Sequence, residues 1–194
     1  MTSELNFPLI TGQISIDLVN TELIRHGIRH DLLRSPENVI EWFQTLKKQN
    51  ILCNNQFNTP IDQWAERALP LLREVRLFLR ENYERMADGE NVLPDWVSRL
   101  ELLVRQSPFA YELQGNKLLP IPTGKPENAL VALIALNALK LLSSDKLSNI
   151  HRCANPECVL LFIDTRGRRK WCSMKICGNR KKVTRHQKRT KKEK

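Results

Sequence analysis

Cys153-Ala154-Asn155-Pro156-Glu157-Cys158 is followed, after thirteen intervening residues, by Cys172-Ser173-Met174-Lys175-Ile176-Cys177. Four of the five cysteines fall in this window as two pairs with four residues inside each pair, and Cys53 stands alone. Two such pairs, roughly ten to twenty residues apart, suit a tetrathiolate zinc site: each pair forms a chelating turn and the intervening segment brings the turns together. A pair of disulfides would require an oxidising compartment. Met1 to Ile10 has neither the basic stretch nor the long apolar core of a secretion signal, so a reducing, cytoplasmic location is expected. The pattern predicts one Zn2+ ion held by Cys153, Cys158, Cys172 and Cys177. Four thiolates fill a tetrahedral sphere and leave no position for water, so the ion is expected to be structural.

Between the pairs, Val159-Leu160-Leu161-Phe162-Ile163 is rich in strand-forming residues and Asp164-Thr165-Arg166-Gly167 has turn chemistry. Arg169-Lys170-Trp171 can return as a second strand, and Ser173 can cap a helix that places Cys177 in its first turn or just beyond. The expected order of knuckle, β-hairpin and helix is treble-clef-like.

Cys177-Gly178-Asn179-Arg180, with Phe162, Asp164-Thr165, Arg169, Trp171-Cys172-Ser173-Met174 and Lys182, resembles the CGNR zinc finger over about residues 149 to 189. That resemblance implies the four cysteines as ligands and DNA as the target. In that family the finger follows an ABATE domain, associated with stress-induced transcriptional regulation, and Ser15-Ile16-Asp17-Leu18-Val19-Asn20-Thr21 resembles the start of that domain. The lysine-rich end from Lys188 to Lys194 falls outside the resemblance.

Charge divides the chain in the same place. The whole chain carries a formal +10, yet residues 151 to 194 hold 15 Lys/Arg against 3 Asp/Glu, whereas residues 1 to 150 hold 16 against 18. Such localisation is the footprint of a polyanionic partner, with nucleic acid favoured over an anionic membrane, an acidic protein or a merely solvated tail. A helix from about Ser173 to Lys192 would carry Lys175, Arg180, Lys181, Lys182, Arg185, Lys188 and Arg189. The expected hairpin adds Arg166, Arg168, Arg169 and Lys170. Asn179 and Arg180 have two roles open to them, reading base edges or bracing the metal turn.

The preceding 147 residues read as a mainly α-helical domain with a small β-hairpin. The 41% apolar fraction supports a packed core, and no apolar run reaches the eighteen or more residues needed to cross a bilayer. A short helix is expected from about Ile14. Asp17, Asn20 and Thr21 inside that apolar stretch would either contact a ligand or bond neighbouring backbone, and the second reading is favoured because buried polar groups commonly satisfy backbone. His26 and His30 lie four apart, but Gly27 weakens a helix there and surface histidines are expected. Ser35-Pro36-Glu37 starts one helix. Thr59-Pro60 opens another, in which Pro70 predicts a kink or two abutting helices. Leu93-Pro94-Asp95 starts a third. Phe109–Leu113 and Lys117–Ile121 flank a Gly115 turn as a hairpin, with Pro120 and Pro122 confining the second strand to an edge. Pro126 to Leu142, apolar on nearly every face, is expected at the centre of the bundle.

No nucleophile elbow, P-loop or glycine-rich dinucleotide turn occurs, so no catalytic residue is assigned. The expected function is a zinc-dependent transcriptional regulator that binds double-stranded DNA, with the N-terminal domain sensing a small-molecule effector or forming a homodimer. The alternative is an RNA-binding or ribosome-associated zinc protein.

Overall fold

The computed structural model describes residues 7–25 and 27–179. Its elements run α1 (Ile14–Val19), β1 (Glu22–Arg25), β2 (Ile28–Asp31), α2 (Pro36–Lys48), α3 (Ala65–Ala87), α4 (Trp96–Gln106), β3 (Phe109–Gln114), β4 (Lys117–Pro122), α5 (Pro126–Ser143), β5 (Ile150–Arg152) and β6 (Leu161–Ile163). The strands form three separate antiparallel pairs: β1 with β2, β3 with β4, and β5 with β6.

α5 is the axis of the helical part, packed against α1, α3 and α4. Leu130, Ala132, Ile134, Ala135 and Ala138 are fully enclosed, which accounts for the absence of a polar stripe. The helix spans eighteen residues and is apolar enough to satisfy the length criterion for a membrane span, beyond what the shorter apolar run in the sequence suggests. Its apolar side chains are instead the core of the bundle. The helix starts follow the expected chemistry. Pro36 and Pro126 stand in first turns, where a missing N–H leaves no intrahelical bond unmade.

α3 runs through Pro70 as one helix, so of the two expected outcomes the pair of abutting helices does not form. Pro70 and Glu66, whose carbonyl loses its intrahelical donor, both lie on the exposed face, where water can take the missing bond. Three aromatic groups lock α2 to the start of α3: Phe43 meets Trp64 and Phe57 edge-on at centroid distances of 5.4 and 5.2 Å.

The segment around His30 is a second hairpin, which the sequence reading did not anticipate. Gly27 has φ 77° at its turn and His30 faces Leu23 across the ladder. His26 lies outside the described residues. The β3–β4 hairpin forms as expected, with Gly115 at φ 58° and Pro120 opposite Tyr111.

The C-terminal unit is docked on this bundle. Ile150, Leu160, Leu161 and Phe162 belong to the same continuous apolar core as α1, α3 and α5. β6 pairs with β5, which precedes the first cysteine, Ile150 facing Ile163 and Arg152 facing Leu161. The expected partner strand, Arg169-Lys170-Trp171, forms no strand; its link to the first cysteine turn is a bond from Ala154 N to Lys170 O of 2.8 Å.

Candidate metal centre

The four cysteine sulfurs all lie within 4.8 Å of one another. Four sulfurs about 2.3 Å from one zinc ion stand about 3.8 Å apart in a tetrahedron. Cys158 and Cys172 are separated by 3.8 Å, with no disulfide formed among the five cysteines. Size, donor type and spacing fit one structural Zn2+ held by Cys153, Cys158, Cys172 and Cys177.

The surrounding backbone is built to meet thiolate charge. Cys172 N donates to Cys153 Sγ at 3.4 Å and Asn155 Nδ2 donates to Cys177 Sγ at 3.7 Å. Backbone N–H groups of Asn155 and Leu160 donate to Cys153 and Cys158. Such donors stabilise sulfur in its anionic, metal-binding form. The Cys153 thiol is pulled far below its ordinary range by the neighbouring Cys158 and Cys172, and these two are pushed up in turn, chiefly by Cys153. Packed sulfurs cannot all shed protons unless a cation balances them, and a divalent ion supplies that balance.

After Cys172 the chain turns as expected at Ser173, whose hydroxyl accepts from Ile176 N at 3.0 Å. The turn Met174–Gly178 is wound as a π-helix, and Asn179 continues it with helical torsions. Arg180, Lys181, Lys182, Arg185, Lys188 and Arg189 lie outside the described residues. Gly178 is buried beneath Met174, whose Sδ lies 2.5 Å from where a Cβ would stand.

The turn between the cysteine pairs is organised by Asp164. Its carboxylate accepts from Arg166 N at 3.1 Å and from Arg169 N, and these donors, Arg169 first, hold it below the usual carboxylate range. Gly167, at φ 62°, closes the turn.

Arg169, expected on the nucleic-acid face, is exposed and also braces the unit. Its guanidinium donates to Ile163 O at 3.3 Å and to Cys172 O, and lies 4.5 Å from the Phe162 ring centroid. Phe162 is buried, so the arginine clamps the strand to the third ligand. Arg166, Arg168 and Lys170 are exposed like Arg169 but lack its contacts, and Lys175 and Asn179 are exposed as well.

Asp17, Asn20 and Thr21 are fully enclosed, and each bonds groups of the protein. Asp17 Oδ1 accepts from Thr11 N at 3.1 Å and Thr11 Oγ1 at 2.8 Å. Thr21 Oγ1 donates to Leu18 O and accepts from Arg76. Asn20 bonds both backbone groups of Leu161 in β6.

Two residues that the sequence did not single out complete the junction. Arg80 donates to Val159 O at 3.1 Å and to Val19 O, and pairs with Glu22 at 3.1 Å and Glu84 at 3.0 Å. Arg152 forks onto Asp88 at 2.6 and 2.7 Å. Nothing in the local pattern of α3 distinguishes Arg80 from a surface arginine, because its partners lie in three distant segments. Asn155 could have been noticed, since an amide between two zinc-spaced cysteines suits an N–H···S donor.

Comparison with family models matches residues 149–190 to the CGNR zinc finger. Residues 12–145 match ABATE, whose description reads "Putative stress-induced transcription regulator". A comparison with curated proteins returns no match. The two family matches together cover the helical bundle and the cysteine cluster, and the chain belongs to the ABATE family with a CGNR zinc finger at its C-terminal side.

Proposed function

We propose that the protein is a zinc-dependent transcription regulator that holds double-stranded DNA on the face formed by Arg166, Arg168 and Lys170. The observation that carries this reading is the contrast among the basic side chains of the finger. Arg152 is paired with Asp88 and Glu84, and Arg169 is clamped on Phe162 and two carbonyls. Arg166, Arg168, Lys170 and the neighbouring Lys175 are exposed, with no carboxylate partner among the described residues. Asp164, which could have neutralised them, is engaged by backbone N–H groups. A rigid turn that keeps its cations free matches the requirement of a phosphate backbone.

The zinc contributes rigidity: its coordination fixes the turn that carries these cations relative to Lys175 and Asn179. Arg180 and the basic residues that follow it up to Arg189 extend the same charge along the chain. The helical domain is the regulatory part, through an effector or through pairing of two copies. The exposed apolar face of Tyr111, Leu113 and Leu118 on the β3–β4 hairpin supports pairing.

Titration of zinc-loaded protein against duplex DNA and structured RNA over a range of salt tests the reading. With about five phosphates neutralised, log affinity should fall with log salt at a slope of about −4 to −5. Tighter binding to structured RNA at matched salt would favour the RNA-binding alternative. A flat salt response would exclude both.

A further inference from the structure

The two outer edges of the β3–β4 hairpin differ in character. Gln114 faces Lys117 across the two-residue turn Gly115-Asn116, and from that closing pair hydrogen-bonded and non-hydrogen-bonded pairs alternate along the ladder. Leu113 with Leu118, Tyr111 with Pro120 and Phe109 with Pro122 are therefore pairs of the second kind, whose backbone groups point away from the partner strand. On the outer side of β4, Pro120 and Pro122 have no N–H to offer, and the Pro120 carbonyl already accepts from Gln56 Nε2 at 3.1 Å. On the outer side of β3, the N–H and C=O groups of Phe109, Tyr111 and Leu113 meet no partner among the described residues.

We propose that the outer edge of β3 pairs with the same edge of a second copy of this chain, joining two hairpins into one four-stranded antiparallel sheet. An unpaired strand edge with apolar side chains is a template for another strand, and native edges are ordinarily blunted by charge, by proline or by a covering element. β4 is blunted by its prolines and packs against α5. β3 carries Glu112 as its single charge, and its Tyr111 and Leu113 side chains are 58% and 72% exposed.

The occupant is a second copy because the edge is complementary to itself. A two-fold axis through Tyr111 sets the strands antiparallel, with Tyr111 beside Tyr111 and Phe109 beside Leu113 of the second copy, so that each outward N–H meets an outward C=O. On that face an apolar row continues within each hairpin, through Pro120 opposite Tyr111 and Leu118 opposite Leu113. On the other face Glu112 falls beside Ala110 of the second copy, so no like charges oppose each other. An axis through Glu112 would instead set two carboxylates side by side. The pairing holds two fingers in a two-fold relation. It rests on the regulatory role given above to the helical domain and deepens it, whereas DNA binding by the finger stands or falls separately.

The test is sedimentation equilibrium of the full zinc-loaded chain without nucleic acid, from about 1 to about 100 μM, in about 0.5 M salt to screen charge-driven association. The expected mass approaches twice the 22.6 kDa of one chain as concentration rises. Tyr111→Lys sets two cations side by side at the axis, and Tyr111→Pro removes the central outward N–H without touching the bonds to β4. Each should weaken the dimer at least about tenfold, with zinc content and circular dichroism unchanged. Leu102→Lys, which removes an exposed apolar side chain from α4 instead, should leave the dimer as it is. By NMR, the Phe109 and Leu113 amides should exchange at least about tenfold more slowly in the wild type than in Tyr111→Lys. A monomer at about 100 μM, a dimer that survives both Tyr111 substitutions, an equal loss with Leu102→Lys, or amides that exchange equally fast in the two proteins would overturn the proposal.

Discussion

Asn20, at the end of α1, and Leu161, in β6, exchange two hydrogen bonds of 2.9 Å, from Asn20 Nδ2 to Leu161 O and from Leu161 N to Asn20 Oδ1. The side-chain amide imitates a neighbouring strand, pairing the outer edge of the β5–β6 hairpin inside a buried junction. Zinc finger and helical bundle are therefore joined by directional bonds as well as apolar contact.

Replacing Asn20 with Ala leaves a buried N–H and C=O of Leu161 without partners. Each such orphan costs about 1–3 kcal/mol, so Asn20→Ala should lower unfolding free energy by at least about 2 kcal/mol in urea titration. A loss under about 0.5 kcal/mol would mean that water reaches the junction and the two parts are not joined as described.

Because Leu160, Leu161 and Phe162 share one core with α1, α3 and α5, metal removal should not melt the finger alone. Chelation is expected to shift a single thermal transition downward, since an ion bound only by the folded state stabilises the whole cooperative unit. Calorimetry with and without chelator checks this. Two transitions, with only the smaller sensitive to chelator, would contradict it.

Asp17 gives a pH signature. Burial pushes its carboxyl up to about 6 against an ordinary 3.8, more than the bonds from Thr11 pull it down. Its folded-state value is raised, so its contribution is fully present below the unfolded value and is lost as pH rises through about 6. Asp17→Asn keeps an oxygen for Thr11 and removes the titration. The wild type should lose about 2 kcal/mol relative to this variant between pH 4 and pH 7, followed by denaturant titration at each pH. A pH-independent difference would contradict the assignment.

Arg169 and Arg168 are adjacent yet should fail differently. Arg169→Ala removes a clamp on Ile163 O, Cys172 O and the Phe162 ring, so zinc is expected to be lost to a competing chelator at least about tenfold faster. Arg168→Ala and Lys170→Ala should keep zinc retention unchanged and lower DNA affinity, each reducing the salt slope by about 1. Chelator competition and anisotropy titrations on the same samples separate the two effects.

Much of this architecture is legible in the sequence. The four cysteines, the proline-led starts of α2 and α5, and the Gly115 turn each carry local chemistry that admits few alternatives. The β1–β2 hairpin was missed because its four-residue strands are too short and too charged to display a period. The partner of β6 was misread for a different reason. A hairpin through Asp164-Thr165-Arg166-Gly167 is the nearest pairing in sequence, whereas the chain uses β5, on the far side of the first cysteine pair. The metal-held loop makes that longer connection geometrically short. Arg80 acquires its role only when distant segments meet, so no window of sequence reveals it, whereas Asn155, between two zinc-spaced cysteines, carries a local signal.

Zinc K-edge X-ray absorption of reduced protein as purified, with metal counted per chain, tests the central claim most directly. The expected result is one zinc per chain with four sulfur neighbours at about 2.3 Å. Nitrogen or oxygen in the first coordination sphere, or chains that are folded and free of metal, would contradict the tetrathiolate centre on which the finger's shape depends.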